Sequence, residues 1–116
     1  RKTFGGGMRQ SGILAAAGIY ALENNIERLS EDHIRASRLA ESINAMDSFS
    51  VKLEGVQSNM VYVQCMEESA SEVARRLAEL GVDVSVETDS IVRAVAHLHI
   101  TDEDIDTAIE AFEKSQ

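Results

Sequence analysis

The chain has 116 residues, a formal net charge of −9, 44% hydrophobic and 27% charged residues, and one cysteine. That length provides for a single modest core, and the apolar share is that of a folded globular domain rather than a disordered chain. The acidic balance argues against a nucleic-acid partner, which calls for a basic stripe; no apolar run reaches bilayer length, and one cysteine excludes an intrachain disulfide. The opening pair Arg1 and Lys2 is positive but lacks a small-residue cleavage pattern, so a cytoplasmic protein is expected.

In chain order, Gly5, Gly6 and Gly7 precede a helix expected over 8–23. Its residues 13–22 are apolar almost all round, and such a helix has to be covered on more than one side. A homo-oligomer formed through this helix is the expectation. Arg9 falls in the first turn of the expected helix, where a cation opposes the macrodipole. An anion resolves that conflict, because glycines permit close approach and the N–H groups at a helix start bind phosphate. The spacing matches neither the P-loop nor the dinucleotide fingerprint, and a flexible linker feeding a helix is the alternative.

Asn24 and Asn25 break that helix, and Ser30, Glu31 and Asp32 open a second, expected to reach about residue 45 with Ile34, Leu39, Ile43 and Met46 on its core side. A short strand is expected over 51–53 and a clear one over 60–65, where β-branched and aromatic residues follow the turn formers Gly55, Ser58 and Asn59. The pattern Ser69-Ala70-Ser71-Glu72 reads as a capping box, opening a helix with Val73, Leu77 and Leu80 on one side that ends at Gly81. Strands over 82–86 and 91–100 follow, joined by a turn at Thr88 and Asp89. Thr101 to Asp104 forms a second box, with Asp in the usual place of Glu, and Ile105, Ala108, Ile109 and Phe112 then keep helical spacing. The sum is an α+β fold, a small antiparallel sheet covered on one face by helices and preceded by an apolar helix. We read 1–116 as one domain, with 1–28 the glycine-rich turn and interface helix and 29–116 the α+β unit.

One residue stands out within that unit. Arg93 is a cation inside the apolar run 91–98, and burying its planar donor fork is costly unless an anion fills it. Period-two alternation puts Val92, Ala94, Ala96 and Leu98 on one face and Ile91, Arg93, Val95, His97 and His99 on the other. A carboxylate or phosphate ligand fits the fork; an ion pair with a local Glu or Asp at a sheet edge is the alternative. His97 and His99 at this spacing do not define a metal centre, and none is expected. Cys65 ends an apolar strand beside Glu67 and Glu68 and reads as a buried, inert thiol.

The stretch from Arg1 through the block Gly5-Gly6-Gly7-Met8-Arg9-Gln10 to Ala17, the strand Val56-Gln57-Ser58-Asn59-Met60-Val61-Tyr62-Val63 and the strand Arg93-Ala94-Val95-Ala96-His97-Leu98 resemble, in the same order, segments of the low-specificity L-threonine aldolases. The resemblance covers nearly the whole chain and is to the C-terminal portion of that family. It implies a pyridoxal-phosphate enzyme of the aspartate-aminotransferase-like fold, cleaving β-hydroxy-α-amino acids to glycine and an aldehyde. Arg93 then holds the substrate's α-carboxylate, and Arg9 reaches the cofactor phosphate, across a subunit interface. Ala96 stands where the family usually has Thr, and His99 where it usually has Asp. None of Lys2, Lys52 and Lys114 matches the family's cofactor lysine, so no catalytic residue is expected here and the isolated chain is expected to be inactive, with no cofactor held covalently. Two other readings remain open: a module sensing an amino acid or a phosphate-bearing metabolite through Arg93 and Arg9, and a homo-oligomeric interaction protein.

Overall fold

The computed structural model describes Thr3 and residues 6–116; the opening charge pair Arg1 and Lys2, and Gly5 of the glycine run, lie outside the described residues. The elements are helix α1 (Gly12–Asn24), helix α2 (Leu29–Asn44), strand β1 (Phe49–Val51), a 3-10 turn (Leu53–Gly55), strand β2 (Met60–Cys65), helix α3 (Ala70–Glu79), strands β3 (Ser85–Thr88) and β4 (Ile91–Val95), and helix α4 (Asp102–Lys114). The sheet runs β1-β2-β4-β3 with every neighbouring pair antiparallel.

Alternation along these strands divides the sheet into two unlike faces. Phe49 and Val51 of β1, Val61, Val63 and Cys65 of β2, and Val92 and Ala94 of β4 are buried on one of them. Leu39 and Ile43 from α2, Val73 and Leu77 from α3, and Ile105 and Phe112 from α4 complete this core. The Phe49 and Phe112 rings meet edge to face at 5.3 Å, a favoured aromatic geometry. On the other face Met60, Tyr62, Ile91, Arg93 and Val95 stay wholly or partly exposed. The mixed helix and sheet architecture, with its small antiparallel sheet, is the one the sequence implies.

Several boundaries differ, each for a local reason. Gln10 takes a left-handed φ of 51°, which interrupts helical propagation, so α1 starts at Gly12 with Ser11 as its N-cap. Arg9 therefore precedes the helix instead of occupying its first turn. In α2 the buried stripe is Asp32, Ala36, Leu39, Ala40 and Ile43, and Ile34, two residues beyond Asp32 and so about 200° around the helix, points outward with 67% exposure. Asp32 tolerates burial because Arg28 grips both its oxygens, at 2.7 and 3.1 Å.

Past α3, Val82 does not begin a strand, because its N–H donates to Leu77 O at 2.9 Å while the Gly81 N–H donates to Ala78 O at 3.0 Å. This is a Schellman closure, made possible by a φ of +85° at Gly81, and it holds the chain until Ser85. Leu80, assigned to the core side from spacing, sits at this helix end and is 40% exposed. The first strand shifts too: Phe49 enters it to meet Phe112, whereas Leu53 begins the 3-10 turn. Finally β4 stops at Val95, five residues short of the expected end. Asn59 closes the ladder there, its O accepting from the Ala96 N–H at 2.9 Å and its side-chain amide donating to Ala96 O at 2.7 Å. The chain then turns, the Ile100 N–H donating to His97 O at 2.8 Å, and Leu98, His97 and His99 are all exposed.

The first helix contributes nothing to this core. No residue of α1 is buried, and Ile13, Leu14, Ile19, Tyr20 and Leu22 are all more than half exposed. The radius of gyration, 17.2 Å, reflects an elongated outline with a long axis of 50 Å. A compact chain of this length has about 13 Å.

Candidate functional site

Arg93 lies in the middle of β4, flanked across the ladder by Tyr62 of β2 and Ser85 of β3. Its side chain rises on the face that no core residue covers and is 31% exposed. One terminal nitrogen, Nη1, meets Glu87 Oε1 at 3.2 Å. Its Nε is buried with no hydrogen-bond partner. A guanidinium can grip a carboxylate with two parallel N–H groups, and a buried donor left unmade costs about 1–3 kcal/mol. The site is therefore half-satisfied: a cation with one anionic contact and an idle donor.

Glu87 belongs to the edge strand β3, whose register against β4 shifts beside it. Val86 pairs with Val92 and Thr88 with Ile91, leaving Glu87 as an extra residue with no counterpart on β4. Alternation from Ser85, the residue paired with Arg93, puts Glu87 on the face that Arg93 occupies, and the shift changes its register rather than its face. Sequence alternation alone gave no signal of this register shift. The sheet-edge ion pair considered as an alternative is thus real, but it leaves the Nε donor unfilled.

Arg9 is exposed, three residues before α1. The first turn of α1 contains no acidic residue, and Ser11 makes no side-chain cap. Among the described residues, then, the first turn of α1 sets no acidic side chain of its own beside its amides. Arg9 and Arg93 belong to different parts of the structure, the segment leading into an uncovered helix and the sheet, and neither lines the cleft beside α4.

That cleft, of about 420 Å³, opens between residues 81–84, residues 94–100 and the first turns of α4. Val82, Val84, Ala96, Ile100 and Phe112 supply its apolar wall, and Asp83, His97, His99 and Asp104 its polar groups. Local structure already engages most of the latter. Asp104 accepts from the Thr101 N–H and hydroxyl, both at 2.8 Å, and the backbone bond above all holds its carboxyl below the usual range. His97 Nδ1 accepts from the His99 N–H at 3.3 Å, and the two rings stack edge to face at 5.9 Å. Among the described residues no group of three or more His, Cys, Asp or Glu is placed to hold a metal ion. Cys65 is buried, and that burial pushes its thiol up, away from the thiolate needed for reactivity. No helix among the described residues is long and apolar enough to cross a membrane.

Residues 1–66, more than half of the chain, match the family model described as beta-eliminating lyase. The chain belongs to the beta-eliminating lyase family. Within it, the chain is 42% identical over 105 residues to a low-specificity L-threonine aldolase of Escherichia coli, covering 90% of this chain and 30% of that one. It is 36% identical over 118 residues to low-specificity L-threonine aldolase 1 of Arabidopsis thaliana, covering 99% of this chain and 33% of the relative. The chain thus spans about a third of the length of the curated relatives it matches. Among solved structures, a NifS-like protein superposes with a TM-score of 0.68 at 22% identity, over 94% of this chain and 34% of that one. At that identity the likeness concerns the fold, and it agrees with the mixed helix and sheet architecture described above.

Proposed function

We propose that the chain is the C-terminal, substrate-clamping portion of a threonine-aldolase-like lyase acting on β-hydroxy-α-amino acids, and that Arg93 receives the substrate's α-carboxylate. The observation that carries this reading is the buried, idle Nε of Arg93 on the uncovered face of the sheet. A ligand carboxylate satisfies that donor and one Nη together, which the single contact from Glu87 does not do.

The exposed Arg9 and the uncapped, acid-free start of α1 fit the phosphate of pyridoxal phosphate, the cofactor implied by the family resemblance. That group, when bound, supplies an electron sink for breaking a bond at the substrate's α-carbon. This chain's residues orient the carboxylate and neutralise the phosphate; they supply no covalent anchor. Lys52 and Lys114 are highly exposed and lie beside Glu54 and Glu110, at 3.9 and 3.2 Å, which is the setting of solvated surface cations. A lysine that anchors a cofactor works from a desolvated pocket, which neither of these exposed side chains occupies. Lys2 lies outside the described residues.

The chain alone is accordingly inactive and acts once joined to the remainder of such an enzyme. The uncovered helix α1 supports a further part of the reading, that a second copy covers it in a homo-oligomer. The activity proposal is tested by incubating the full chain with pyridoxal phosphate and threonine, assaying glycine release, then reducing with borohydride and mapping lysine adducts by mass spectrometry. The expected result is no glycine above the cofactor-only control and no dominant adduct. Turnover dependent on one modified lysine would show that the chain carries its own anchor.

A further inference from the structure

The open face of the sheet carries, beside Arg93, a small pocket that a carboxylate clamp alone does not use. It lies between β2 and the turn that follows β1, has a volume of about 180 Å³, and is lined by Lys52, Gly55, Val56, Met60 and Tyr62. Alternation along β2 leaves Met60 and Tyr62 on the face away from the core, 39% and 47% exposed. The lining is apolar in character. The Tyr62 hydroxyl is turned to Met60 Sδ at 3.9 Å, and the exposed Lys52 amine lies beside Glu54, so that Lys52 offers the pocket its methylene stem. A space of this size suits one side chain, since pockets for whole drug-sized ligands run to about 300–1,000 Å³. Tyr62 joins pocket and clamp, because it lines the one and pairs directly with Arg93 across the ladder. Paired strands lie about 4.8 Å apart, so the pocket begins one strand spacing from the residue that takes the carboxylate.

We propose that this pocket is the subsite for the ligand's side chain, and that it selects α-amino acids with an extended apolar chain over glycine- or threonine-sized ones. The inference rests on the reading of Arg93 as the α-carboxylate clamp and adds the part of the substrate beyond the α-carbon. With the carboxylate on the guanidinium, an extended chain passes over the Tyr62 ring and ends between Val56 and Met60. A methyl group on the β-carbon is too short to cross that spacing, and a polar chain end loses water there for no matching group. Burial of apolar surface drives the preference, at about fourfold in affinity for each methylene taken fully from water. For a lyase built around this clamp, the favoured substrates are β-hydroxy-α-amino acids whose β-carbon bears an aliphatic chain longer than methyl.

The test titrates the full chain with glycine and with norleucine, following backbone amide nuclear magnetic resonance shifts, which every variant retains. Norleucine is expected to bind roughly tenfold more tightly than glycine, the worth of about two buried methylenes, and to shift the Gly55 and Val56 amides. Gly55→Leu places a side chain where an added Cβ meets nothing within 4 Å, and is expected to bring the ratio of the two affinities to near one. Met60→Ser strips one apolar wall and is expected to lower the same ratio, with urea midpoints checking that both variants fold. Arg93→Ala is expected to abolish saturable binding of both amino acids. If the two bind equally well through Arg93, or the preference for norleucine survives both pocket variants, the side-chain subsite is overturned and the clamp reading stands. If binding survives Arg93→Ala, or neither amino acid binds the parent chain, the clamp reading fails and the subsite falls with it.

Discussion

Helices α1 and α4 each have 13 residues, yet one has no buried residue while the other anchors the core. The difference lies in how the apolar residues are arranged. In α4, Ile105, Ala108, Ile109 and Phe112 form a single stripe, with acidic residues in the first turn and Lys114 in the last. A 116-residue chain can cover one stripe, and it does so. In α1 the apolar residues surround the helix, so any one contact leaves the rest in water. The termini differ in the same sense: α4 starts with a complete capping box, and α1 has no side-chain cap. One helix is composed to complete this domain, the other to be covered by something beyond it.

The largest expected effect comes from cutting the contact that α4 makes with the sheet. Phe112 is fully buried and meets Phe49 edge to face. Phe112→Ala is expected to cost about 3–5 kcal/mol, a large share of the roughly 5–15 kcal/mol available to a domain. Urea unfolding followed by circular dichroism measures it. A loss below about 1 kcal/mol would mean that α4 is no more integral than α1, and the comparison would collapse.

The α1 side of the contrast concerns assembly rather than folding. Replacing Ile13 and Leu22 together by Glu touches no core residue, since the two are 79% and 68% exposed. Sedimentation equilibrium is expected to show an assembly of two or more copies for the parent chain and a 12.7 kDa monomer for the double variant, with matching urea midpoints. A parent chain that stays monomeric at high concentration would remove the second copy as the cover for α1.

How much of this was legible in the sequence depends on whether each signal was local. Strand β2 and the capped start of α4 were, because alternation and a four-residue box are read from neighbouring positions. The surplus of apolar surface on α1 was legible as well, although the chain itself does not provide the cover. Boundaries set by distant partners were not: β1 slides to bring Phe49 to Phe112, and β4 ends where Asn59, 37 residues earlier, closes the ladder. At the site, Arg93 was recognisable as a charge in an apolar strand, and Arg9 as a cation beside a glycine run. Their surroundings depended on non-local or strained geometry, the pairing of β3 with β4 that sets Glu87 beside Arg93 and the left-handed Gln10 that moves the helix start past Arg9.

The smallest effects are expected at the two N-caps, and they separate the helices most cleanly because a cap is a local term. At α4, the Thr101 hydroxyl accepts from the Asp104 N–H at 3.2 Å, while the Asp104 carboxylate accepts from the Thr101 N–H. Thr101→Ala is expected to cost about 1 kcal/mol, whereas Ser11→Ala, which removes no cap bond, should stay within about 0.5 kcal/mol. The α4 cap also carries a pH signature. The Thr101 N–H holds the Asp104 carboxyl below its unfolded value, so its contribution is fully present above that unfolded value and is lost as pH falls through the folded one. The stability gap between the parent chain and Asp104→Ala, measured by urea unfolding across pH, should therefore be flat near neutrality and narrow below about pH 4. A gap that persists unchanged through that acid range would mean that the carboxylate charge is not what secures the start of α4, and the distinction between a capped, integral helix and an uncapped, external one would then rest on packing alone.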